Sequence, residues 1–145
     1  MMRGWYSQWR VVLCTWVLIV LQMTKPTGAG CLIEPDINGH VDIPSNWTSV
    51  PDYAFVSCST LKTLSWPTDT ITAIGNYSFK DAFAVGSILT LPDSVRVIGS
   101  YGFKGTGLVE VVFGANSQLE EVQSHAFDRC RDLKTLHLPD SLRII

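Results

Sequence analysis

The hydrophobic and polar positions of the chain repeat with a period of about 24 residues. Four phenylalanines mark the period, and each follows a tyrosine or histidine by two positions: Phe55, Phe79, Phe103 and Phe127. The step between successive phenylalanines is 24 residues each time. A fixed step of this length indicates structural repeats. The repeat is therefore identified before any single segment is assigned a secondary structure.

The rest of each unit follows the same period. A strand-like apolar run that ends in proline or glycine comes after each phenylalanine, at 61–67, 87–92, 108–114 and 133–139. A shorter apolar pair follows each run, and the pairs are Ile71 with Ile74, Val95 with Ile98, Leu119 with Val122, and Leu142 with Ile145. Residues 41–50 show part of the same pattern. One-residue shifts near Pro92 and Gly114 are expected to be absorbed in loops.

Stacking explains why such a pattern recurs. One unit of this length cannot bury its apolar face alone, whereas neighbouring units bury one another and form a continuous core. Equivalent positions of successive units then lie about 4.8 Å apart, the spacing of paired strands. The sequence therefore predicts a mainly β repeat solenoid of about four repeats of 23–25 residues, plus a partial N-terminal unit. The four phenylalanines are predicted to form one interior ladder.

Two stretches, residues 98–103 and 126–142, carry a resemblance to a known family. They resemble the BspA-type (treponemal-type) leucine-rich repeat, whose unit runs roughly I-G-x-x-A-F-x-x-C-x-x-L-x-x-L-x-L-P-x-S-L. The resemblance covers residues 41–145 and departs at Ala82 and Thr106, which replace the cysteine, and at Pro51, which replaces the glycine. It implies a curved solenoid with a parallel sheet on its concave side. Members of the family are typically surface or secreted proteins that act in adhesion and protein binding.

The first thirty residues have the organisation of a secretory signal peptide. Arg3 and Arg10 precede an apolar run at 11–21, and small residues at 28–30 follow it. The run is shorter than the roughly twenty residues that span a bilayer, which favours a cleaved signal over the alternative of an uncleaved anchor. Lipid attachment at Cys31, as in a bacterial lipoprotein, is a third hypothesis, although Gly28 stands where such sites prefer a large aliphatic residue.

The predicted division is therefore a signal peptide at 1–30 and a solenoid at 31–145. Residues 31–43 are expected to cap the solenoid, whereas Ile144 and Ile145 leave its far end apparently uncapped. Such an end exposes an apolar rung, which favours a fragment of a longer repeat protein over a frayed or self-associating terminus. No membrane span is expected after removal of the signal.

The charge of the mature part excludes some partners. Of the 11 Lys and Arg residues, the three at positions 3, 10 and 25 leave with the signal, so 8 remain against 13 Asp and Glu, a formal charge of −5. Nucleic-acid binding requires a basic patch, and anionic lipid also attracts basic segments. Neither partner is expected.

Cysteines and sequons supply candidate modifications. Buried free thiols are the favoured interpretation of Cys58 and Cys130, and a disulfide between Cys31 and Cys58, which could pin the N-terminal cap in an oxidising compartment, is the alternative. Cys58 and Cys130 are expected to lie three rungs apart, about 14 Å, too far for a disulfide. Asn46 and Asn76 head Asn-x-Ser/Thr triplets, which are candidate glycosylation sites in a eukaryotic secretory pathway.

No catalytic, phosphate-binding or metal-ligating constellation is found in the sequence, so no enzyme activity and no cofactor are expected. The three histidines are interpreted as ordinary surface residues. Solenoids of this kind bind through their strand surface, and the outward positions of the predicted strands form the candidate binding surface: Lys62, Thr63, Ser65, Ile88, Thr90, Val109, Glu110, Val112, Lys134, Thr135 and His137.

The leading functional hypothesis is a secreted or cell-surface interaction and adhesion module that binds an extracellular protein or glycan. The alternative is a structural or envelope protein that self-associates through the ends of the solenoid. Plain sheet formation also accounts for the β-branched residues of the candidate surface, because such residues favour strands.

Overall fold

The computed structural model describes residues 30–145, so the predicted signal peptide lies outside the described residues except for Gly30. The described chain winds as a parallel-strand β-solenoid of about four turns, as the sequence predicted. Its strands are β1 (His40–Asp42), β2 (Ser49–Val50), β3 (Thr63–Ser65), β4 (Ala73–Ile74), β5 (Ser87–Leu91), β6 (Val97–Ile98), β7 (Leu108–Phe113), β8 (Glu121–Val122) and β9 (Thr135–Leu136).

Each turn of the solenoid contributes one strand to each of two faces. Strands β1, β3, β5, β7 and β9 form the long-strand face, which corresponds to the expected concave sheet. Strands β2, β4, β6 and β8 form a four-stranded sheet on a second face, and all the strand pairs are parallel. The Tyr-x-Phe segments lie on a third side, in turns that connect the second face to the next long strand.

The core lies between these sides and repeats from rung to rung. On the long-strand face Leu89 pairs with Val111, which pairs with Leu136. On the second face the inward residues Val50, Ile74 and Ile98 are 1%, 1% and 0% exposed. Equivalent apolar positions therefore bury one another, as nearest-neighbour stability requires.

The interior phenylalanine ladder is present as predicted. Phe55, Phe79 and Phe103 are fully buried, and Phe127 is partly buried at the last rung. Adjacent ring centroids are 5.1, 5.2 and 5.4 Å apart with nearly parallel planes. The 24-residue step thus becomes one aromatic column through the molecule.

The long-strand face is divided between β3 and β5. Strand β3 pairs with β1, and β5 pairs with β7, but the structure has no strand ladder joining β3 to β5. The indole nitrogen of Trp66 instead donates a hydrogen bond to the Thr90 carbonyl at 2.7 Å. The second repeat has ten positions from Phe79 to Leu89, against nine from Phe55 to Leu64. The extra residue displaces the chain before β5, and the Trp66 side chain connects the two segments in place of backbone hydrogen bonds between β3 and β5.

A second local departure affects one predicted outward column. The sequence pattern aligns Ser87 with Val109, but Ser87 pairs with Leu108, and the register shifts between Ser87 and Ile88. Ser87 is also buried, and its hydroxyl donates to the Ala84 carbonyl at 2.8 Å. The shift accommodates the shorter third repeat, which has eight positions from Phe103 to Val111.

The turns of the third side are held by a left-handed backbone at equivalent positions. Tyr53, Tyr77, Tyr101 and His125 have φ between 54° and 60°. Each turn also bonds to the next, and the amides of Phe55 and Phe79 donate to the carbonyls of Ser78 and Gly102 at 2.7 and 2.8 Å. The turns therefore form a hydrogen-bonded stack like the strands, although none of them is a strand.

Candidate functional site

The outward residues of β5, β7 and β9 form one continuous surface. Ile88 lies beside Glu110, which lies beside Thr135, and Thr90 lies beside Val112. Because side chains alternate along a strand, these residues point away from the core that contains Leu89 and Val111. The structure therefore brings together five of the predicted binding-surface residues.

The remaining predicted residues surround this group. Thr63 and Ser65 lie on β3, beyond the break in the face, and Lys62 directly precedes that strand. Val109 is partly buried at the register shift, whereas Lys134 and His137 flank β9 and are exposed.

The centre of the surface is apolar. Ile88 is 53% exposed, and Val112 on the adjacent strand is partly exposed. Glu110 and Thr135 border them, and Lys134 lies one position before Thr135. An apolar centre with a polar and charged border is the arrangement found in many protein contact surfaces.

A polar network that the sequence did not reveal lies on the same face, around His40 of β1. The His40 Nδ1 atom is 2.7 Å from Thr63 Oγ1, and Nε2 is 2.9 Å from Ser65 Oγ and 3.3 Å from Asp42 Oδ1. The register of β1 with β3 places His40 beside Thr63. The Asp42 carboxylate and the Ser65 hydroxyl approach the same ring nitrogen, so these two groups do not have the Ser-His-Asp arrangement, in which they contact opposite nitrogens.

The sequence signal for this network was present but faint. His40 precedes Val41 as Thr63 precedes Leu64, so the repeat alignment places both outward on neighbouring strands. The sequence alignment of the repeats begins at Val41, so His40 was interpreted as an ordinary surface residue.

The second aromatic ladder lies on the outside of the turns and was also missed. Tyr53, Tyr77, Tyr101 and His125 stack with ring centroids 5.1, 4.8 and 5.0 Å apart. The Lys104 ammonium lies 4.8 Å from the centroid of the Tyr101 ring. The repeated aromatic residue two positions before each phenylalanine was visible in the sequence, but its exposure depends on the left-handed turn.

Two carboxylates have a pKa below the ordinary value for aspartate. The Lys104 ammonium donates to Asp128 at 2.9 Å and, with Arg129 and His125 nearby, lowers the pKa of Asp128. The backbone amide of His40 donates to Asp36, and this bond together with those from Asn38 lowers the pKa of Asp36. Asp128 lies in a turn and Asp36 directly precedes one, and neither lies on the candidate binding surface.

The two candidate glycosylation sites have different environments. Asn46 is exposed in the segment between β1 and β2. Asn76 is partly buried: its Oδ1 accepts a bond from the Ser100 amide at 2.9 Å, and its Nδ2 lies 3.4 Å from Asp52 Oδ2. Ser78, the third residue of that triplet, is fully buried.

A disulfide joins Cys31 to Cys58, with their Cα atoms 5.1 Å apart, so the favoured interpretation of Cys58 as a free thiol was wrong and the alternative is the pairing in the structure. It attaches the segment before β1 to the first Tyr-x-Phe turn. Cys130 is a free thiol that donates to the Phe103 carbonyl at 3.0 Å. Cys58, Ala82, Thr106 and Cys130 therefore occupy one column of small residues, as the repeat alignment indicated.

Within residues 30–145, no group of three or more His, Cys, Asp or Glu side chains is arranged to hold a metal ion. In the same part of the chain, no helix is long and apolar enough to cross a membrane.

The comparison with protein families agrees with this architecture. A family model described as "BspA type Leucine rich repeat region (6 copies)" matches residues 37–145. A leucine-rich repeat protein from Bacteroides ovatus ATCC 8483 is similar in structure, with 16% sequence identity, a TM-score of 0.37, and coverage of 73% of this chain and 44% of that protein. The chain thus spans less than half the length of that protein. No curated protein matches the sequence significantly. Because the family match extends over most of the chain and coincides with the stacked repeats, the protein belongs to the BspA-type leucine-rich repeat family.

Proposed function

We propose that the protein is a secreted or cell-surface recognition and adhesion module that binds an extracellular protein or glycan through its long-strand face, without catalysis. The family and the solenoid fold are those of repeat interaction modules, whose members are typically surface or secreted proteins. The observation that carries the proposal is the exposed apolar centre around Ile88, aligned in register with Glu110 and Thr135.

Ile88 favours the strand through its β-branched side chain, but the core does not need it as a filling residue. The core on the opposite side of β5 is already complete, since Leu89 and Leu91 are each 2% exposed. Covering Ile88 and Val112 with a partner would remove apolar area from water, which favours association. The polar border of Glu110, Thr135 and Lys134 would orient that partner.

The proposal is tested with arrays of purified extracellular proteins and of glycans, probed with the purified protein and two variants. Ile88→Asp places a charge at the centre of the face, whereas Ile37→Asp places the same charge at an isoleucine that is 99% exposed elsewhere. We expect Ile88→Asp to weaken capture at least about tenfold, as substitutions at interface centres do, and Ile37→Asp to leave it unchanged. Equal loss in both variants, or no saturable capture on either array, would refute the proposal.

The alternative function is structural self-association through the ends of the solenoid. Among the described residues, Leu138, Ile144 and Ile145 are 37%, 59% and 86% exposed, and pairing between copies of this chain would remove that apolar surface from water. Light scattering separates the two functions: a monomer at all concentrations counts against the structural function, whereas concentration-dependent growth that Ile145→Asp abolishes supports it.

For expression in a eukaryotic secretory cell, we propose that Asn46 carries a glycan and that Asn76 does not. Asn46 is exposed, whereas the Asn76 side chain is engaged with Asp52 and Ser100. The measurement is electrophoresis before and after glycosidase treatment. We expect the Asn46→Gln variant to lack the mass of one glycan and the Asn76→Gln variant to keep it. Loss of glycan mass in Asn76→Gln would overturn the assignment.

A further inference from the structure

A cleft beside the long-strand face arises from the unequal loops of the second and third repeats. The longer loop carries Val85 outward, where it is 78% exposed. The shorter loop at 105–107 stays close to the core. The difference in loop length leaves an open space of about 320 Å³, the loop cleft, between Val85 and the turn that follows Phe127.

The floor of the loop cleft is built from two glycines that pack against the preceding repeat. A Cβ atom on Gly107 would lie 2.8 Å from the Phe83 carbonyl oxygen, and one on Gly105 would collide with the Asp81 carboxylate. Gly105 also has a φ of 67°, a conformation that side chains disfavour. The floor therefore consists of backbone that has no room for larger residues.

Two arginines line the opposite side of the cleft. Arg129 is 70% exposed and makes one long ion pair, 3.8 Å from Asp128, which Lys104 holds more closely. For Arg131, no ion pair is present among the described residues 30–145. Both guanidinium groups are therefore available to an incoming anion.

The loop cleft is less acidic than the molecule as a whole. Its carboxylates are Asp81, which pairs with Lys80 at 2.5 Å, and Asp132. The lining itself carries Arg129 and Arg131 against these two aspartates, a formal charge of zero, in a predicted mature chain of formal charge −5. Because Lys80 pairs with Asp81 from outside the lining, the two arginines are the groups that attract an anion to this part of the surface.

We propose that the loop cleft binds an acidic peptide segment of a partner protein, with a carboxylate on Arg129 and Arg131 and a neighbouring aliphatic side chain against Val85. Arginine binds carboxylates through paired N–H donors. The volume is at the low end of the range of ligand pockets, roughly 300 Å³, and suits one or two residues.

The lining favours peptide over an acidic sugar. Sugars commonly pack on exposed aromatic rings, but the aromatic residue at the cleft, Phe83, is only 3% exposed. The exposed apolar group is Val85, which suits an aliphatic side chain.

This inference rests on the proposed function, because the cleft continues the same surface. Val85 is three residues before Ile88, Gly107 is two before Val109, and Arg131 is three before Lys134. A partner that lies on the long-strand face can therefore extend a segment into the cleft without leaving the protein surface.

The test uses NMR of the purified ¹⁵N-labelled protein with two synthetic dipeptides that differ in one charge. The probe is N-acetyl-Leu-Glu-amide, and its control is N-acetyl-Leu-Gln-amide. We expect saturable shifts at the amides of 105–107 and 129–131 with the acidic dipeptide alone, and weaker binding at higher salt because the site is solvent-accessible. Equal shifts with both dipeptides, or shifts that do not cluster at the cleft, would overturn the proposal.

Matched variants separate the cleft from general charge effects. Arg131→Gln is expected to weaken dipeptide binding about threefold to fivefold, the range for an accessible charge pair, whereas Arg143→Gln removes an arginine elsewhere and should change nothing. Equal weakening by both variants would contradict the cleft. Glucuronic acid is the third probe: if it shifts the same amides more strongly than the acidic dipeptide, the peptide assignment is wrong.

The two proposals fail separately. If the dipeptide does not bind while Ile88→Asp still weakens capture on the arrays, the cleft proposal fails alone. If the dipeptide binds at the cleft but Ile88→Asp has no effect on capture, the long-strand face is not the recognition surface.

Discussion

At the scale of single residues, the turns place bulky side chains where glycine is usually found. Tyr53, Tyr77 and Tyr101 have φ values of 60°, 54° and 57°. For residues other than glycine, a left-handed backbone costs roughly 1–2 kcal/mol. Stacking of the rings outside the turn and hydrogen bonds between neighbouring turns offset this cost.

Tyr77 allows the strain to be measured apart from the stacking. Tyr77→Ala and Tyr77→Gly both remove the ring that lies between Tyr53 and Tyr101, but only glycine relaxes the backbone. We expect the glycine variant to be more stable than the alanine variant by about 1 kcal/mol, measured by urea denaturation. The opposite order would show that the left-handed turn is not strained.

Asp128 gives a pH prediction with a defined sign. Its folded-state pKa is below the ordinary value for aspartate, so ionised Asp128 stabilises the folded state at pH values above the unfolded pKa of about 3.9. That stabilisation is lost as the pH falls through the lower folded pKa. In Lys104→Met, the main cause of the shift is absent, and we expect the carboxyl ¹³C titration of Asp128 to move upward in pH. An unchanged titration would contradict the role of Lys104.

At the scale of elements, the segment before β1 is attached covalently to the first turn. The disulfide between Cys31 and Cys58 closes a loop with a sequence separation of 27. Leu32 bonds through its amide to the Ala54 carbonyl at 2.6 Å, and Gly30 bonds to Val56 at 2.9 Å. The segment therefore covers the first rung of the solenoid as an added layer.

Removal of this disulfide is expected to lower the free energy of unfolding by about 3.5 kcal/mol, because the unfolded chain gains the entropy of a loop of this length. The double variant Cys31→Ala with Cys58→Ala tests this by thermal denaturation, since alanine already occupies the equivalent position at Ala82. Cys130→Ala is the control and should cost less. A double variant as stable as the parent would show that the attachment adds no stability.

The sequence predicted the elements well where the repeat is regular and poorly where it is not. The step of 24 residues predicted the phenylalanine ladder, and the alternation of side chains along a strand predicted the outward residues Ile88, Glu110 and Thr135. The division between β3 and β5 was not predictable, because it depends on how one extra residue and the Trp66 side chain are accommodated. The loop cleft was missed for the same reason: loop lengths can be read from the sequence, but loop paths cannot.

At the scale of the whole molecule, stability is shared between neighbouring rungs. Phe103 is fully buried and stacks on both Phe79 and Phe127, whereas Phe127 is partly buried and stacks on Phe103 alone among the described residues. In a solenoid each rung contacts only its neighbours, so within residues 30–145 a change at Phe103 affects two interfaces and a change at Phe127 affects one.

This difference predicts a dependence on position. Phe103→Ala is expected to lower the free energy of unfolding by about 3–5 kcal/mol, the usual cost for a buried phenylalanine, and Phe127→Ala by a smaller amount. Urea denaturation of the two variants measures both values. If both substitutions cost the same, the last rung is as well packed as the interior.

The outer ladder of Tyr53, Tyr77, Tyr101 and His125 has a further consequence for spectroscopy. Tyrosine rings held face to face at about 5 Å couple their electronic transitions, and the coupled pairs are chiral because the solenoid is. The near-ultraviolet circular dichroism of tyrosine in this protein should therefore depend on the alignment of neighbouring turns. A shift of one turn relative to the next would change the near-ultraviolet circular dichroism even where the secondary-structure content of the protein stays the same.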